Sequence, residues 1–228
     1  MKISEKNILG YIPARSKSKG LKNKNILLFN NKPLFYHSID FAKKLNNVFP
    51  FISTDSKKYL NLAKKYYPNQ FDYIRPEKYA KDNSLIASGL KHGIKWLEKN
   101  YDLKFEYIIL IQPTCPIRSY KYYNQIIKKF FEKKLTSLIT VKEVNEYPQK
   151  MINLKSKKKW NFLVKHDFQL EGRQVFKKHY IIDGNFYMFT KKFFYRTNSF
   201  FKENETYIQI NKQKKNIDID TLSDFNDY

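Results

Sequence analysis

Short apolar runs alternate along this chain with longer stretches of helical periodicity, and the alternation limits its possible folds more than any other feature. The steps from one run to the next take roughly 25 to 35 residues, which suits right-handed βαβ units. The pattern therefore predicts an α/β fold with a mainly parallel sheet and helices on both faces. The predicted strands are residues 7–12, 48–53, 71–74, 107–112 and 137–141. The predicted helices are residues 33–45, 56–67, 84–99 and 120–133.

Residue types at the element boundaries support these assignments. Pro33 suits the first turn of its helix, and Asp55 is a candidate N-cap of the next. No repeat or Gly/Ser/Pro linker divides the chain, so we expect a single domain over residues 1–228. The region around residues 145–178 is predicted to form an arm, with a hairpin between residues 151 and 174. The chain then returns to a strand at 180–189, a short helix at 191–196 and an extended segment at 216–220.

Composition excludes several classes of protein. With 228 residues, 42% of them hydrophobic, the chain can bury a sizeable core, which argues against intrinsic disorder. No apolar run reaches the roughly 20 residues of a membrane span, and the first residues lack the apolar centre of a signal peptide. We therefore expect a cytoplasmic location and no membrane partner. Cys115 is the only cysteine, so neither an internal disulfide nor a cysteine-based zinc site is expected.

The formal charge of +23 raises the question of nucleic-acid binding. The basic residues are 39 Lys and only five Arg, and the Lys residues are spread over every segment. This distribution favours a solvated surface over a docking stripe, so no nucleic-acid partner is expected. Where Lys is the usual cation, an Arg indicates a position that needs the planar guanidinium fork.

The loop after the first predicted strand, residues 12–25, is rich in groups that bind anions. It holds Arg15, four Lys, two Ser and Gly20, where a first strand-to-helix connection offers backbone N–H groups. This chemistry suits a polyphosphate, with a plain basic surface loop as the alternative. Neither the P-loop pattern nor the Gly-x-Gly-x-x-Gly pattern is present, which argues against P-loop NTPases and dinucleotide-binding proteins.

A second candidate site is the double-proline turn in the sequence LIQPTCPIR, residues 110–118. A buried strand ends there, and the prolines stiffen a backbone from which Gln112, Thr114 and Arg118 are predicted to face a ligand. The alternative is a purely structural turn. Cys115 has no His or Asp partner nearby in the sequence, so we do not expect it to be a nucleophile.

The third candidate is the acidic pair in the sequence IDIDT near residue 220. In an extended strand, residues i and i+2 share a face, so Asp218 and Asp220 are predicted to project together. Paired carboxylates repel one another unless a cation joins them, and Mg²⁺ with substrate phosphates is the natural partner. The alternative is a strand end with two solvated aspartates.

These segments together carry a resemblance to a known family. IPARSKSKGLKNKN resembles the IPARxxSKGxxxKN signature of the CMP-sialic acid synthetases (acylneuraminate cytidylyltransferases), which include relatives acting on other 2-keto-3-deoxy sugar acids. LIQPTCPIR is similar to that family's LLQPTSPLR. Further matches follow in family order over residues 8–225: RPEKYAKD, YPQK, GRQ, DGNFY, the pair Phe200 and Phe201, and IDIDT.

The resemblance implies a Rossmann-like sheet of the nucleotide-diphospho-sugar transferase type, a protruding dimerisation arm and transfer of CMP from CTP to a sugar acid. It implies a homodimer with exchanged arms, in which Lys150, Arg173, Phe200 and Phe201 reach the partner's site. The implied nucleotide contacts are Arg15, Ser18, Lys19, Lys24, Asn25, Arg75, Asp82, Asn83 and Ser84. The implied sugar-acid contacts are Gln112, Lys150, Arg173, Tyr187, Phe200 and Phe201. The implied catalytic residues are Arg15, Lys19, Asp218 and Asp220, with the two aspartates holding Mg²⁺.

Departures from the family pattern affect mainly the prediction of which sugar acid is bound. Cys115 stands where the family usually has Ser, and residues 82–85 read Asp-Asn-Ser-Leu rather than Asp-Thr-Ala-Ser. Ile181 replaces a frequent Arg near the sugar, and Asn185 replaces a small Ala. We therefore predict that a less polar, legionaminic-type acid is a better substrate than N-acetylneuraminate. The alternatives are Kdo or another NTP on the same fold, or a basic RNA- or anion-binding module without turnover.

Overall fold

A six-stranded sheet forms the centre of the computed structural model, which describes residues 7–17, 20–81, 84–164, 178–213 and 215–226. The strand order is β10-β6-β9-β5-β1-β4. β1 is parallel to β4 and β5, and β6 is parallel to β10, whereas β9 runs antiparallel to both β5 and β6. These strands are β1 (Ile8–Pro13), β4 (Val48–Ser53), β5 (Tyr107–Leu110), β6 (Ser137–Val144), β9 (His179–Thr190) and β10 (Tyr207–Ile210). The predicted α/β class with a mainly parallel sheet is confirmed.

Helices cover both faces of this sheet because both faces are apolar. Ile8 and Ile12 of β1 lie in one buried cluster, and Leu9 and Tyr11 lie in the other, as the two-residue period of a strand requires. Side chains of α1 and α4 pack in the first cluster, and those of α3 and α5 pack in the second. The helices are α1 (Leu34–Lys44), α2 (Lys57–Tyr66), α3 (Ile86–Tyr101), α4 (Tyr120–Glu132), α5 (Lys191–Thr197) and α6 (Leu222–Asn226).

The boundary predictions are partly correct. Pro33 occupies the N-cap position of α1, immediately before its first turn. The N-cap of α2 is Ser56, whose hydroxyl accepts from the Tyr59 N–H, so the prediction of Asp55 as the cap is wrong. Asp55 lies one residue earlier and accepts hydrogen bonds from Ser16 instead.

One predicted strand is wrong. Residues 71–74 make a single parallel bridge, between Ile74 and Thr54, although Phe71 and Tyr73 are both buried in the second cluster. Residues 216–220 are irregular, although Ile217 and Ile219 are buried and Asp218 and Asp220 are exposed as the alternation required. β10, a short edge strand beside β6, was not predicted from the sequence.

The arm region begins with a hairpin that stands apart from the core. β7 (Ile152–Ser156) pairs with β8 (Lys159–Phe162), and every residue of both strands is exposed. The predicted hairpin is therefore present at residues 152–162. The part of the predicted arm at residues 165–177 lies outside the described residues. A further two-stranded ribbon joins β2 (Leu28–Phe29) to β3 (Lys32–Pro33).

None of the helices among the described residues has both the length and the apolar character needed to cross a membrane.

Candidate active site

A cavity of about 590 Å³ opens where β1 and β5 end, at the carboxyl edge of the parallel strands. Loops after these strands are the usual ligand sites of open α/β sheets. The cavity brings together residues that are far apart in the sequence. Among the predicted site residues, its lining includes Arg15, Lys24, Asn25, Arg75, Ser84, Gln112 and Asp220.

The predicted anion loop is fixed at its start by four hydrogen bonds. The Ala14 N–H donates to the Ser53 carbonyl at 2.9 Å, which extends the β1–β4 pairing by one residue. The Asn25 side-chain amide donates to the Arg15 carbonyl at 2.8 Å. Asp55 accepts the Ser16 N–H and the Ser16 hydroxyl, each at 2.8 Å. Asn25 therefore holds the loop together through the Arg15 carbonyl. The Ser16 N–H already donates to Asp55 and is not available to an anion.

Positive charge dominates the cavity. Arg15, Lys24, Arg75 and Lys81 line it, against Asp220 as the single carboxylate among the described lining residues. Lys24 Nζ lies 2.6 Å from Asp220 Oδ1, which ties the loop to the C-terminal segment. The cavity therefore has the charge of a polyphosphate site, with a carboxylate at its edge.

Arg75 is the most unusual side chain in the cavity, because its guanidinium is buried with donors unused. It is 4% exposed, and its Nε and Nη2 atoms have no hydrogen-bond partner among the described residues. Its backbone N–H donates to the Thr54 carbonyl at 2.8 Å. Gly89 of α3 leaves room for it, because an added Cβ there would lie 3.2 Å from Arg75 Cδ. Such donors are costly to bury unless a ligand supplies acceptors.

Gln112 and Asp218 converge over Gly184, a residue of β9 with φ +72°. A Cβ at Gly184 would lie 3.0 Å from Gln112 Oε1, 3.4 Å from Cys115 Sγ and 3.7 Å from Asp218 Oδ2. The positive φ also favours glycine at this position. The Ile219 N–H donates to the Thr114 carbonyl at 2.8 Å, which holds the acidic segment against the double-proline turn. Asp218 thus lies beside Gln112 although it is outside the cavity lining.

Cys115 is a packing residue rather than a nucleophile. Its thiol is buried and donates weakly to Asp218 Oδ1 at 3.8 Å and to the Asp183 carbonyl at 3.9 Å. Burial raises the pKa of Cys115 to about 12, so the thiol stays protonated at neutral pH. This agrees with the prediction that it has no nucleophilic role.

Arg118 does not face the ligand, contrary to the prediction. Its side chain is half-buried, where Nη2 donates to the Gln112 carbonyl at 2.7 Å and Nε donates to the Asn185 carbonyl at 2.9 Å. Loss of hydration lowers the pKa of Arg118. Arg118 therefore joins the turn after β5 to β9 and holds the backbone of Gln112 in place.

The acidic pair offers oxygen ligands of the kind that Mg²⁺ prefers. Asp218 and Asp220 are both exposed while the isoleucines between and before them are buried. No cluster of three His, Cys, Asp or Glu suited to a metal occurs among the described residues. A metal at this position would therefore need further oxygen atoms from a ligand or from water.

The other predicted sugar contacts among the described residues lie outside the cavity lining. Tyr187 is buried against Phe200 and Phe201, with ring centroids 6.2 and 6.4 Å apart. Burial, together with the nearby Cys115, Asp183 and Asp218, raises the pKa of Tyr187 to about 12. Lys150 lies at the base of the arm, with Nζ 6.0 Å from the centre of the Tyr147 ring. The remaining predicted site residues, Ser18, Lys19, Asp82, Asn83 and Arg173, lie outside the described residues.

Two contributors to this site were not predicted as such. Lys81 lines the cavity, and Asp55 clamps the anion loop. A signal for Asp55 was present, since an acidic residue directly after a buried strand lies at the same sheet edge as the loop after β1.

Comparisons with known proteins find relatives that match nearly the whole chain. N-acylneuraminate cytidylyltransferase of Streptococcus agalactiae serotype V is 27% identical over 94% of this chain, and this chain covers 50% of that protein. CMP-N,N'-diacetyllegionaminic acid synthase of Legionella pneumophila is 28% identical over 96% of this chain and 93% of its own length. The chain thus spans about half the length of the streptococcal relative and nearly all of the Legionella one.

Among solved structures, a CMP:2-keto-3-deoxy-manno-octonic acid synthetase complexed with CTP superposes with a TM-score of 0.67. The alignment covers 96% of this chain and 95% of the other at 11% identity, which supports the shared fold. The sequence model of the cytidylyltransferase family matches residues 9–222. This match covers nearly the whole chain, both the cationic cavity and the acidic segment that closes it, and the chain therefore belongs to the cytidylyltransferase family.

Proposed function

We propose that this protein transfers CMP from CTP to the anomeric hydroxyl of a sialic-acid-like 2-keto-3-deoxy sugar acid. In this reaction the hydroxyl oxygen bonds to the α-phosphorus, the bond to the bridging oxygen breaks, and pyrophosphate leaves. The observation that carries the proposal is the cavity with four cationic side chains and the unused donors of buried Arg75. The named activities of the streptococcal and Legionella relatives support the same chemistry.

The residues of the nucleotide half act by positioning and charge neutralisation, which dominate such transfers. Arg15 and Lys24 lie at the cavity wall, where they balance the charge that develops on the leaving pyrophosphate. Lys19 is proposed to act with them, with Ser18 on the phosphates. Arg75 satisfies its free N–H groups on the nucleotide, beside base and ribose contacts from residues 82–84. Asn25 contributes by holding the Arg15 carbonyl.

Asp218 and Asp220 are proposed to hold Mg²⁺ together with the α-phosphate. Mg²⁺ held there would lower the pKa of the attacking hydroxyl and neutralise phosphate charge. Asp218 lies next to Gln112, and Asp220 pairs with Lys24. The acidic segment therefore connects the proposed sugar contact to the proposed phosphate contact, as a group that serves both substrates must.

The acceptor is proposed to be a deoxy acid of the legionaminic type. Gln112 would bind it at the cavity edge, and Tyr187 would support it from β9. Phe200 and Phe201, which pack against Tyr187 of their own chain, are proposed to border the neighbouring subunit's site. Ile181 is half exposed on β9, where it cannot pair with a carboxylate. An aliphatic side chain there favours methyl and acetamido surfaces over hydroxyl groups.

Assembly is proposed to be a homodimer with exchanged arms. The hairpin exposes Leu154, Trp160 and Phe162, and β9 exposes Tyr180, Ile181 and Ile182. An apolar surface of this kind is typical of an interface. Lys150 and Arg173 would then reach the partner's site from the arm. The single-domain assignment and the cytoplasmic location stay predictions.

One assay tests this function and its alternatives. Purified protein is mixed with CTP, Mg²⁺ and a panel of sugar acids: N-acetylneuraminate, a legionaminic-type acid, a pseudaminic-type acid and Kdo. We expect pyrophosphate release with CTP and with at least one nonulosonate, and the highest kcat/KM with the legionaminic-type acid. Turnover with Kdo alone or with another NTP would correct the substrates. Salt-sensitive RNA binding without any turnover would replace the enzyme by a binding module.

A further inference from the structure

Asp55 is a carboxylate placed against the cationic loop, where simple electrostatics would disfavour it. A negative charge near a polyphosphate site repels the anion and weakens its binding. A carboxylate at such a place therefore needs a second role that offsets this cost. Both oxygens of Asp55 accept hydrogen bonds from one residue: Oδ1 from the Ser16 N–H and Oδ2 from the Ser16 hydroxyl, at 2.8 Å each. Asp55 therefore holds the residue directly after Arg15 by two bonds.

The segment that carries Asp55 also reaches the other side of the cavity. The Ser53 carbonyl accepts from Ala14 on the anion loop, and the Thr54 carbonyl accepts from the Arg75 N–H. Three consecutive residues at the end of β4 thus bind both the loop with Arg15 and the segment with Arg75. This arrangement sets the spacing between two of the cations that line the cavity.

We propose that Asp55 is a positioning residue that fixes Ser16, and through it Arg15, in the conformation that binds the triphosphate of the nucleotide. The proposal rests on the function proposed above. A loop held before the ligand arrives loses less conformational entropy on binding. Asp55 stays outside the lining of the main cavity, so it acts on the ligand only through the loop.

Whether tripolyphosphate binds more weakly or more tightly after Asp55 is replaced distinguishes a positioning role from a purely electrostatic one. If Asp55 acted only as a charge, its removal would tighten the binding of an anion. Asp55→Ala removes both hydrogen bonds along with the charge, so we expect inorganic tripolyphosphate to bind about tenfold more weakly. Asp55→Asn keeps the shape of the side chain. Its amide oxygen can accept from the Ser16 N–H and its amide NH₂ can donate to the Ser16 hydroxyl oxygen, so the affinity for tripolyphosphate should stay within about threefold of the parent's.

The experiment is isothermal titration of the full chain with tripolyphosphate and, in parallel, with CTP. Ser16→Ala keeps the carboxylate and removes one bond, and about threefold weaker binding is expected. Asp72→Asn is the matched control, because Asp72 pairs with Lys64 on the surface, away from the loop. We expect no change there. A double Ser16→Ala, Asp55→Ala variant should bind like Asp55→Ala alone, since the two residues act through one contact.

The outcomes are distinct. Unchanged or tighter tripolyphosphate binding in Asp55→Ala would overturn the proposal, and so would an Asp55→Asn variant as weak as Asp55→Ala. Thermal unfolding of each variant shows whether the fold is kept, and Ser16→Ala decides the question if Asp55→Ala unfolds. Absence of CTP turnover in the parent protein would sink the proposed function, whereas the tripolyphosphate measurements would still test the role of Asp55.

Discussion

The nucleotide cavity is held in place by contacts within one chain, whereas the arm leaves its apolar side chains uncovered in one chain. Around the cavity, side chains are held by backbone groups of the sheet edge: Asn25 on the Arg15 carbonyl, and Arg118 on the Gln112 carbonyl. In the hairpin β7–β8 every residue is exposed, including Leu154 at 66% and Trp160 at 51%. One region is preorganised, and the other presents apolar surface to be covered.

The difference indicates how the two substrates are bound. A charged, preorganised site suits a triphosphate, which needs fixed donors more than an adaptable surface. We expect the acceptor sugar to be recognised at the side of the site where the chain exposes Ile181 and the arm begins. We therefore expect nucleotide binding to survive changes in the arm, and turnover to depend on both regions.

The largest expected effect comes from the acidic segment that joins the two substrates. Asp220→Asn removes one ligand charge with little change of shape, so we expect kcat to fall by about 10² or more. The measurement is pyrophosphate release over a range of Mg²⁺ concentrations. Asp102→Asn is the control, because Asp102 is an exposed residue at the end of α3. Near-normal Mg²⁺-dependent turnover in Asp220→Asn would remove this residue from the chemistry.

The next effect tests the arm. Leu154 and Trp160 pair across the hairpin, so Leu154→Ser with Trp160→Ser removes the largest apolar contact that the arm offers to a partner. We expect sedimentation to show monomers, and turnover to fall at least tenfold, while the Kd for CTP stays within about twofold. The control is Lys158→Ser at the turn of the same hairpin. A parent protein that is already monomeric at micromolar concentration would contradict the exchanged-arm dimer.

A smaller effect is expected inside the cavity, at Arg75. Arg75→Lys keeps a positive charge but loses the fork, and its remaining donors cannot reach the same acceptors. We expect the KM for CTP to rise about tenfold with little loss of fold. Arg196→Lys is the matched control, because Arg196 is an exposed residue that pairs with Glu205. An unchanged KM would mean that the free donors of Arg75 do not contact the nucleotide.

How much of the cavity region could be predicted from the sequence depends on whether a feature is local or tertiary. The strands and helices around the cavity were predictable because burial on one or both faces imposes a period of 2 or 3.6 residues. The edge strand β10 was missed because it is short and only half covered. Arg118 was placed wrongly because a buried guanidinium that binds main-chain carbonyls has the same sequence signal as one that binds a ligand. The convergence of Gln112 and Asp218 over Gly184 depends on tertiary contacts that no local pattern records.

The smallest expected effect concerns the packing of the preorganised region around the cavity. The buried thiol of Cys115 can be used to probe that packing. Burial raises the pKa of this thiol from about 9 to about 12. Above pH 9 the unfolded chain loses the proton while the folded chain keeps it, so the stability contributed by the neutral thiol is complete below pH 9 and is lost between pH 9 and 12. At pH 10 the loss is about 1 kcal/mol.

Urea unfolding at pH 8 and pH 10 checks this, with Cys115→Ser as the variant in which the titration is absent. Other groups titrate in the same range, but they are common to both proteins. The stability of the parent relative to Cys115→Ser should therefore fall by about 1 kcal/mol between the two pH values. Iodoacetamide should leave Cys115 unmodified in the folded protein at pH 8. A pH-independent difference together with rapid alkylation would show that the turn after β5 opens without ligand, and the contrast between a preorganised cavity and an incomplete arm would fail.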